Sequence, residues 1–170
     1  MIRQAIPDDS DAIALVHVRT WQGAYGHVFP PDELAGISVE ERTRAWRSML
    51  ERSSRTHVVE VDGQVVGFAS AGPSRDEDGE GVGELYAIYV DPDHWGSGAG
   101  RELAAWADDS LRGEGFSVAT LWVLDDNPRA RRFYEAGGWR LDGATRVGTH
   151  LGVEAREVRY RKDLSLTAGV

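Results

Sequence analysis

Residues 2–6 alternate apolar and polar side chains with the period of a short strand. The pattern then changes, with Ile13, Val16, Thr20 and Ala24 recurring at helical spacing behind Asp8 and Asp9, either of which can cap the helix. Residues 26–36, with Pro30 and Pro31, break that helix. Ser38 and Glu41 form a capping-box pattern ahead of a second one presenting Ala45, Trp46, Met49 and Leu50. Residues 57–61 and 64–71 are apolar, strand-like runs joined by Asp62-Gly63, the signal of a tight antiparallel hairpin. Residues 73–83 are acidic, glycine-rich and poor in large apolar side chains. Such a segment cannot repay the entropy of ordering and reads as a mobile loop. Residues 84–90 read as a central strand, after which Asp91-Pro92 and a glycine-rich stretch open a helix bearing Leu103, Trp106, Ala107 and Leu111. Residues 116–124 form another buried strand. Asn127-Pro128 is a cap with proline at the first helical position, and Ala130, Phe133, Tyr134 and Gly137 share a face of the helix it starts. Residues 139–141 and 155–162 close the sheet as two further strands separated by a glycine-bearing loop.

This order of elements makes an α/β (α+β) domain over residues 1–164, with a frayed tail at 165–170. Its mixed, mostly antiparallel sheet has six to seven strands flanked by about four helices. At 170 residues, with 41% hydrophobic and 28% charged positions, the chain has the composition of a globular domain, and no apolar run approaches the length of a membrane span. Its start, MIRQAIPDDSDAI, carries acids where a signal peptide carries apolar residues, and a cytoplasmic protein is expected. The absence of cysteine removes disulfides, thiolate zinc sites and thiol nucleophiles. His17, His27, His57, His94 and His150 lack metal-site spacing, so no metal is expected. A net charge of -9, from 19 basic and 28 acidic residues, argues against nucleic acid and favours a cationic substrate.

The candidate chemistry begins at Trp95-Gly96-Ser97-Gly98-Ala99-Gly100-Arg101, where three alternate glycines sit at the passage from strand to helix. Alternating glycines let the backbone approach a ligand, and helix-start amides without intrahelical partners form an anion cradle reinforced by the helix dipole. A diphosphate is the natural guest. The mononucleotide loop requires Gly-Lys followed by Ser or Thr, whereas this chain has Gly100-Arg101-Glu102. The dinucleotide fingerprint belongs in the first strand-helix unit of a parallel sheet, so neither motif fits.

The segment instead resembles the central motif of the GNAT superfamily of N-acyltransferases: Gln or Arg, two residues, Gly, one residue, then Gly or Ala. Trp95, Gly98 and Gly100 occupy those positions, with tryptophan replacing the usual first residue. Asn127, Ala130, Phe133, Tyr134, Glu135 and Gly138-Trp139 resemble a second family segment, and the element order agrees over nearly the whole chain. The resemblance implies acetyl-CoA as cosubstrate, lying between splayed central strands, and an amine that attacks the thioester directly. It implies that the backbone of Ile88, Tyr89 and Val90 pairs with the pantetheine arm, Ile88 supplying the amide to the acetyl oxygen. Amides of Trp95, Gly96, Ser97, Gly98, Ala99, Gly100 and Arg101 would hold the pyrophosphate. Asn127 would touch the pantetheine or its neighbouring phosphate, and Arg101, Arg129 and Arg132 are candidates for the 3'-phosphate.

By the same resemblance Tyr134 is the acid that protonates the departing thiolate, and Glu84 is the base acting on the acceptor ammonium through water. Burial beside the cleft would raise the Glu84 pKa. Trp21, Tyr25 and Tyr86, with Glu84, are the acceptor-site candidates, Trp46 lying close in the pattern. Core packing competes as the role of the aromatic side chains. The resulting reading is an N-acetyltransferase acting on the primary amine of a small molecule. A protein amino terminus or lysine, and a non-catalytic acyl-CoA sensor, are the alternatives. Monomer and homodimer are both open.

Overall fold

The computed structural model describes residues 1–53 and 55–165, so all of the tail expected at 165–170 except Ser165 lies outside the described residues. The elements run β1 (Ile2–Gln4), a 3-10 turn (Pro7–Asp9), α1 (Ser10–Ala24), α2 (Pro31–Ala35), α3 (Val39–Leu50), β2 (Thr56–Val61), β3 (Gln64–Pro73) and β4 (Gly83–Val90). A second 3-10 turn (Pro92–His94) then leads to α4 (Ala99–Gly113), β5 (Val118–Leu124), α5 (Pro128–Ala136), β6 (Arg140–His150) and β7 (Val153–Asp163). The strands form one seven-stranded sheet in the order β1-β2-β3-β4-β5-β7-β6. β1/β2, β2/β3, β5/β7 and β6/β7 are antiparallel, and β4/β5 is parallel. The chain divides into two compact units, Met1–Ser70 with Ala87–Ala107, and Ala71–Tyr86 with Asp108–Val170.

In the first unit Ile13, Ala14 and Val16 of α1 pack with Trp46 and Leu50 of α3 and with Val58 and Phe68 of the β2-β3 hairpin. The hairpin turns at Asp62 (φ 51°) and Gly63 (φ 77°), the two left-handed residues that match the twist of its strands. Ser38 Oγ accepts the Glu41 amide and caps α3. Ala45 and Met49, expected on the inner face of α3, are exposed, because only Trp46 and Leu50 fall on the buried stripe. α1 begins at Ser10 with Asp9 at its N-cap position, one of the two expected, although the Asp9 side chain makes no bond to the helix amides. The Asp9 carboxylate accepts from the Ile6 amide at 2.8 Å and from Arg3, and so closes the preceding 3-10 turn. α2, begun by Pro31, is a short helix inside the segment read as a break.

His17 of α1 packs against this core. Its Nδ1 accepts from Trp46 Nε1 at 3.2 Å, and its ring stacks on Tyr89 at 5.0 Å between centroids. Burial, aided by the Arg42 charge, lowers its pKa to about 4.

In the second unit Leu121, Val123 and Leu124 of β5 are buried with Val158 and Tyr160 of β7, Tyr134 of α5 and Trp139. Asn127 Oδ1 accepts the Ala130 amide and caps α5, with Pro128 at the first helical position. Two expectations fail here. Residues 142–154, read as a loop, are the greater part of a long β6-β7 hairpin, which turns at Leu151 (φ 50°) and Gly152 (φ 75°). β6 ends the sheet and is exposed along most of its length, including Val147 at 67%, so it lacks the one-sided apolar alternation of a half-buried strand.

The second failure concerns the loop read as mobile. Residues 74–82 are held by charge. The Ser74 amide donates to the Val82 carbonyl at 2.8 Å, and Asp76 accepts from Trp122 Nε1 and from Arg159 Nη1, both at 3.0 Å. Arg159 also donates to Asp78 at 2.7 and 2.8 Å and to Asp142 at 2.7 Å. A nearly buried guanidinium on β7 requires acids around it, and the loop supplies them.

Two predictions follow from these charges. Arg159→Met leaves Asp76 and Asp142 without their cation. It should cost about 3 kcal/mol in urea denaturation and expose residues 74–82 to limited proteolysis; an uncut loop would show that backbone turns alone hold it. For His17 the folded pKa lies below the unfolded value, so the unfolded chain binds the extra proton. Its contribution is complete above pH 6.5 and declines as pH falls toward about 4, a loss of about 3 kcal/mol. His57, also lowered by burial, contributes with the same sign. Comparing His17→Gln with the parent isolates the first histidine: the variant should show a shallower loss of unfolding free energy between pH 6.5 and 4.5.

Candidate active site

After β4 the chain turns tightly. Asp91 caps the 3-10 turn by accepting the Asp93 amide at 3.0 Å. The Trp95 indole donates from Nε1 to the Val90 carbonyl at 2.7 Å, and Thr20 Oγ1 of α1 donates to the same oxygen at 3.1 Å. Tryptophan at this position therefore staples the turn to the strand end, a role absent from a reading in which only its amide mattered. A Cβ added to Gly23 would lie 3.1 Å from Pro92 and 3.3 Å from Trp95, so α1 meets the turn through a glycine.

Within the turn Gly96 (φ 82°) and Gly98 (φ 99°) are left-handed, a conformation costly for other residues. Of the seven candidate amides, four are used internally. Those of Trp95 and Ser97 donate to the Pro92 and His94 carbonyls, that of Ala99 to Ser97 Oγ, and that of Arg101 to the Gly98 carbonyl. Among the described residues the Gly96, Gly98 and Gly100 amides have no protein acceptor. A Cβ on Gly96 would meet nothing within 4 Å, and one on Gly98 only the Arg101 guanidinium at 3.9 Å. Open glycine amides at the amino end of the 15-residue α4 fit an anion such as a pyrophosphate.

The end of β4 is more selective than expected. Asp91 donates its amide to the Val66 carbonyl of β3 at 2.8 Å, so alternation turns the backbone groups of Tyr89 to that same edge and those of Ile88 and Val90 to the other. The Val90 carbonyl is already taken by Trp95 and Thr20, which leaves both Ile88 groups and the Val90 amide as the polar atoms suited to an extended ligand. Tyr89 contributes its ring. Its hydroxyl accepts from Trp21 Nε1 at 3.4 Å. Trp21 contacts Tyr25 at 4.8 Å and Phe29 at 5.5 Å between centroids. Tyr25, Phe29 and Trp46 are buried, so packing accounts for them, while Trp21 is only half-buried.

In the second unit β4 begins with Gly83 and Glu84 paired to Ala119 and Thr120 of β5. A Cβ on Gly83 would lie 2.9 Å from Leu111, so the strand starts under tight packing. The Glu84 carboxylate is buried and engaged on both oxygens. Arg75 donates to it from its backbone amide at 2.8 Å, from Nε at 3.3 Å and from Nη2 at 2.6 Å. Tyr86 lies two residues on, on the same strand face as Glu84, since side chains alternate. Its hydroxyl donates to the Pro73 carbonyl at 2.5 Å, and the Arg75 guanidinium lies 4.3 Å from its ring centre. Sequence reasoning missed Arg75, whose signal was its place as the one basic residue in an acidic loop. Tyr134 of α5 is buried beside Phe133, Trp139 and Tyr160, at 5.5, 6.3 and 6.3 Å between centroids. The Tyr160 hydroxyl donates to Glu135 and accepts from Arg131, which ties α5 to β7. Asn127 spends its Oδ1 on the helix cap, accepting the Ala130 amide. Arg101, Arg129 and Arg132 are exposed.

Comparison with known proteins gives these features a context. Over 91 residues the chain is 41% identical to the uncharacterized N-acetyltransferase YuaI of Bacillus subtilis (strain 168), a match covering 52% of this chain and 51% of that protein. The matched stretch is thus about half the length of the curated relative. The PaiA N-acetyltransferase of Thermoplasma acidophilum, crystallised with coenzyme A, is similar in fold over 96% of this chain and 98% of its own, with a TM-score of 0.75 and 16% identity. YncA of Salmonella typhimurium, solved with its cofactor acetyl-CoA, is similar over 100% of this chain and 96% of its own, with a TM-score of 0.72 and 24% identity. The model of the acetyltransferase (GNAT) family matches residues 17–139, and the chain belongs to that family.

Proposed function

We propose that the chain transfers an acetyl group from acetyl-CoA to a primary amine of a small molecule, in the cytoplasm, by direct attack in a ternary complex. The observation that carries this reading is the turn at Gly96 and Gly98, left-handed, open above the glycines and lined by amides at the start of α4. The coenzyme A complexes of structural relatives support the same donor. No described helix is long and apolar enough to cross a membrane.

Acetyl-CoA, when bound, supplies an acetyl group activated as a thioester. The amides of Gly96, Gly98 and Gly100, with the dipole of α4, hold its pyrophosphate. The Ile88 amide donates to the acetyl oxygen, where charge develops during attack. Asn127 touches the pantetheine or its neighbouring phosphate. Tyr134 returns a proton to the leaving sulfur, and burial of its ring among Trp139 and Tyr160 limits the positions its hydroxyl can take. Glu84 takes the proton of the acceptor ammonium, directly or through one water. The ion pair with Arg75 holds its carboxylate in place but also covers it. Turnover therefore requires the guanidinium to move aside. The negative charge of the chain suits a cationic acceptor.

At a hundredfold excess over its dissociation constant, acetyl-CoA should stabilise the protein by about 2.7 kcal/mol. Gly98→Val should abolish that gain, because the branched side chain fills the open cradle. The strain of a left-handed valine lowers the starting stability by about 1–2 kcal/mol, so the measurement is the coenzyme-induced difference in melting. A melt shifted by ATP and not by acetyl-CoA would sink the donor assignment. Glu84→Gln, assayed by thiol release with a panel of amines, should lower turnover by about 100-fold to 10,000-fold. Coenzyme-induced stabilisation should stay unchanged. Full activity of this variant across the pH range would remove Glu84 from the chemistry.

A further inference from the structure

Arg75 and Glu84 make an unequal pair. The glutamate is part of a strand and its side chain is 2% exposed, whereas the arginine comes from a loop and its side chain is 63% exposed. The guanidinium is held from two sides, by both carboxylate oxygens and by the face of Tyr86, 4.3 Å from the ring centre. Tyr86 is itself anchored through its hydroxyl to the Pro73 carbonyl, so the ring is fixed. A buried carboxylate beside a fixed aromatic face is the recognition set for an organic cation. Here it is filled from within the chain.

We propose that Glu84 and Tyr86 form the ammonium subsite for the acceptor, and that Arg75 fills it as an internal stand-in which an incoming primary ammonium displaces. The proposal deepens the acetyl-transfer reading by naming what the acceptor must carry, and it rests on that reading only for the acceptor's fate.

The energetics make such a plug selective. If Arg75 leaves and nothing replaces it, a buried carboxylate stands unpaired, the costly half of a broken ion pair. If an ammonium enters, the carboxylate exchanges one cation for another, and the guanidinium, already largely in water, gives up one carboxylate and one ring contact. A neutral alcohol or amide cannot make that exchange, so the pair admits cations and rejects neutral molecules of similar size. The backbone bond from the Arg75 amide to Glu84 persists when the side chain swings out, and keeps the carboxylate aimed.

The experiment removes the plug and supplies a small cation, with no acetyl-CoA present. Arg75→Ala should melt below the parent, because Glu84 loses its side-chain partner. Ethylammonium chloride at about ten times its dissociation constant should raise the variant's melting temperature by about 4 °C. Ethanol at the same concentration should not, and the parent should respond less because Arg75 competes. The double variant Arg75→Ala/Glu84→Gln should lose the response. If Arg75→Ala does not fold, Arg75→Gln, which keeps side-chain length and a donor, takes its place. The subsite is overturned if the single variant ignores ethylammonium, responds equally to ethanol, or still responds after Glu84→Gln. Because the readout contains no acetyl donor, its failure leaves the acetyl-transfer reading standing. A melting response from a protein that releases no thiol with any amine would retire that reading and keep the cation subsite.

Discussion

The carbonyl of Val90 is the point on which the candidate coenzyme turn depends. It closes the last strand residue before the chain reverses, and two donors from different elements, the Trp95 indole and the Thr20 hydroxyl, converge on it. The first fixes where the glycine turn begins and the second fixes α1 against the strand end. Gly23 lets the same helix approach Pro92 and Trp95 within van der Waals contact. Left-handed glycines cost conformational entropy and cannot hold a turn in place by themselves. The rigidity must come from their flanks, and the indole bond on one side and the opening turn of α4 on the other provide it. Open amides are useful to an anion only when the backbone bearing them does not have to be ordered on binding.

Charge organises the second unit as polar and apolar packing organises the first. In the first unit His17, neutral because it is buried, fills an aromatic core through one bond from Trp46 and a stack on Tyr89. In the second, Arg159 is held in its charged form by Asp76, Asp78 and Asp142, and Arg75 donates to the buried Glu84 carboxylate. A nearly buried ion is tolerated when its bonding capacity is filled, and the loop between β3 and β4 exists largely to fill it. The loop's composition is that of a disordered segment, yet its acids have partners across the sheet.

That loop shows why some of the structure was legible in the sequence and some was not. Local signals read correctly: Asp62-Gly63 as a hairpin turn, Ser38 and Asn127 as caps, and the alternate glycines after β4 as a strand-to-helix passage. Each is decided by residues within a few positions of one another. What failed depended on partners far along the chain. Residues 74–82 are ordered by Arg159 and Trp122, some 40 to 85 positions away. β6 is a strand because β7 pairs with it, although its own residues lack the alternation of a half-buried strand. Arg75 stayed invisible because an arginine in an acidic stretch suggests local neutralisation, whereas its partner is a strand glutamate buried by the sheet. The Val90 carbonyl was offered to the coenzyme in the sequence reading because nothing local showed that Trp95 and Thr20 would claim it.

The two arginines joined to this loop also separate a structural ion pair from an exchangeable one. Arg159 has one guanidinium shared among three carboxylates, lies on a strand, and has a side chain only 11% exposed. A competing cation would have to displace all three contacts at once. Arg75 has one carboxylate and one aromatic ring, lies on the loop, and already stands mostly in water. The residue type and the chemistry of the bond are the same, but the cost of leaving differs. Exchange is governed by what the departing group gives up and what the remaining groups lose. At Arg159 three carboxylates lose their partner at once and one small cation cannot satisfy them all, so the contact is permanent. At Arg75 the guanidinium gives up little by leaving, and the loss at Glu84 is cancelled by whichever cation follows, which makes the pair a selector of positively charged ligands.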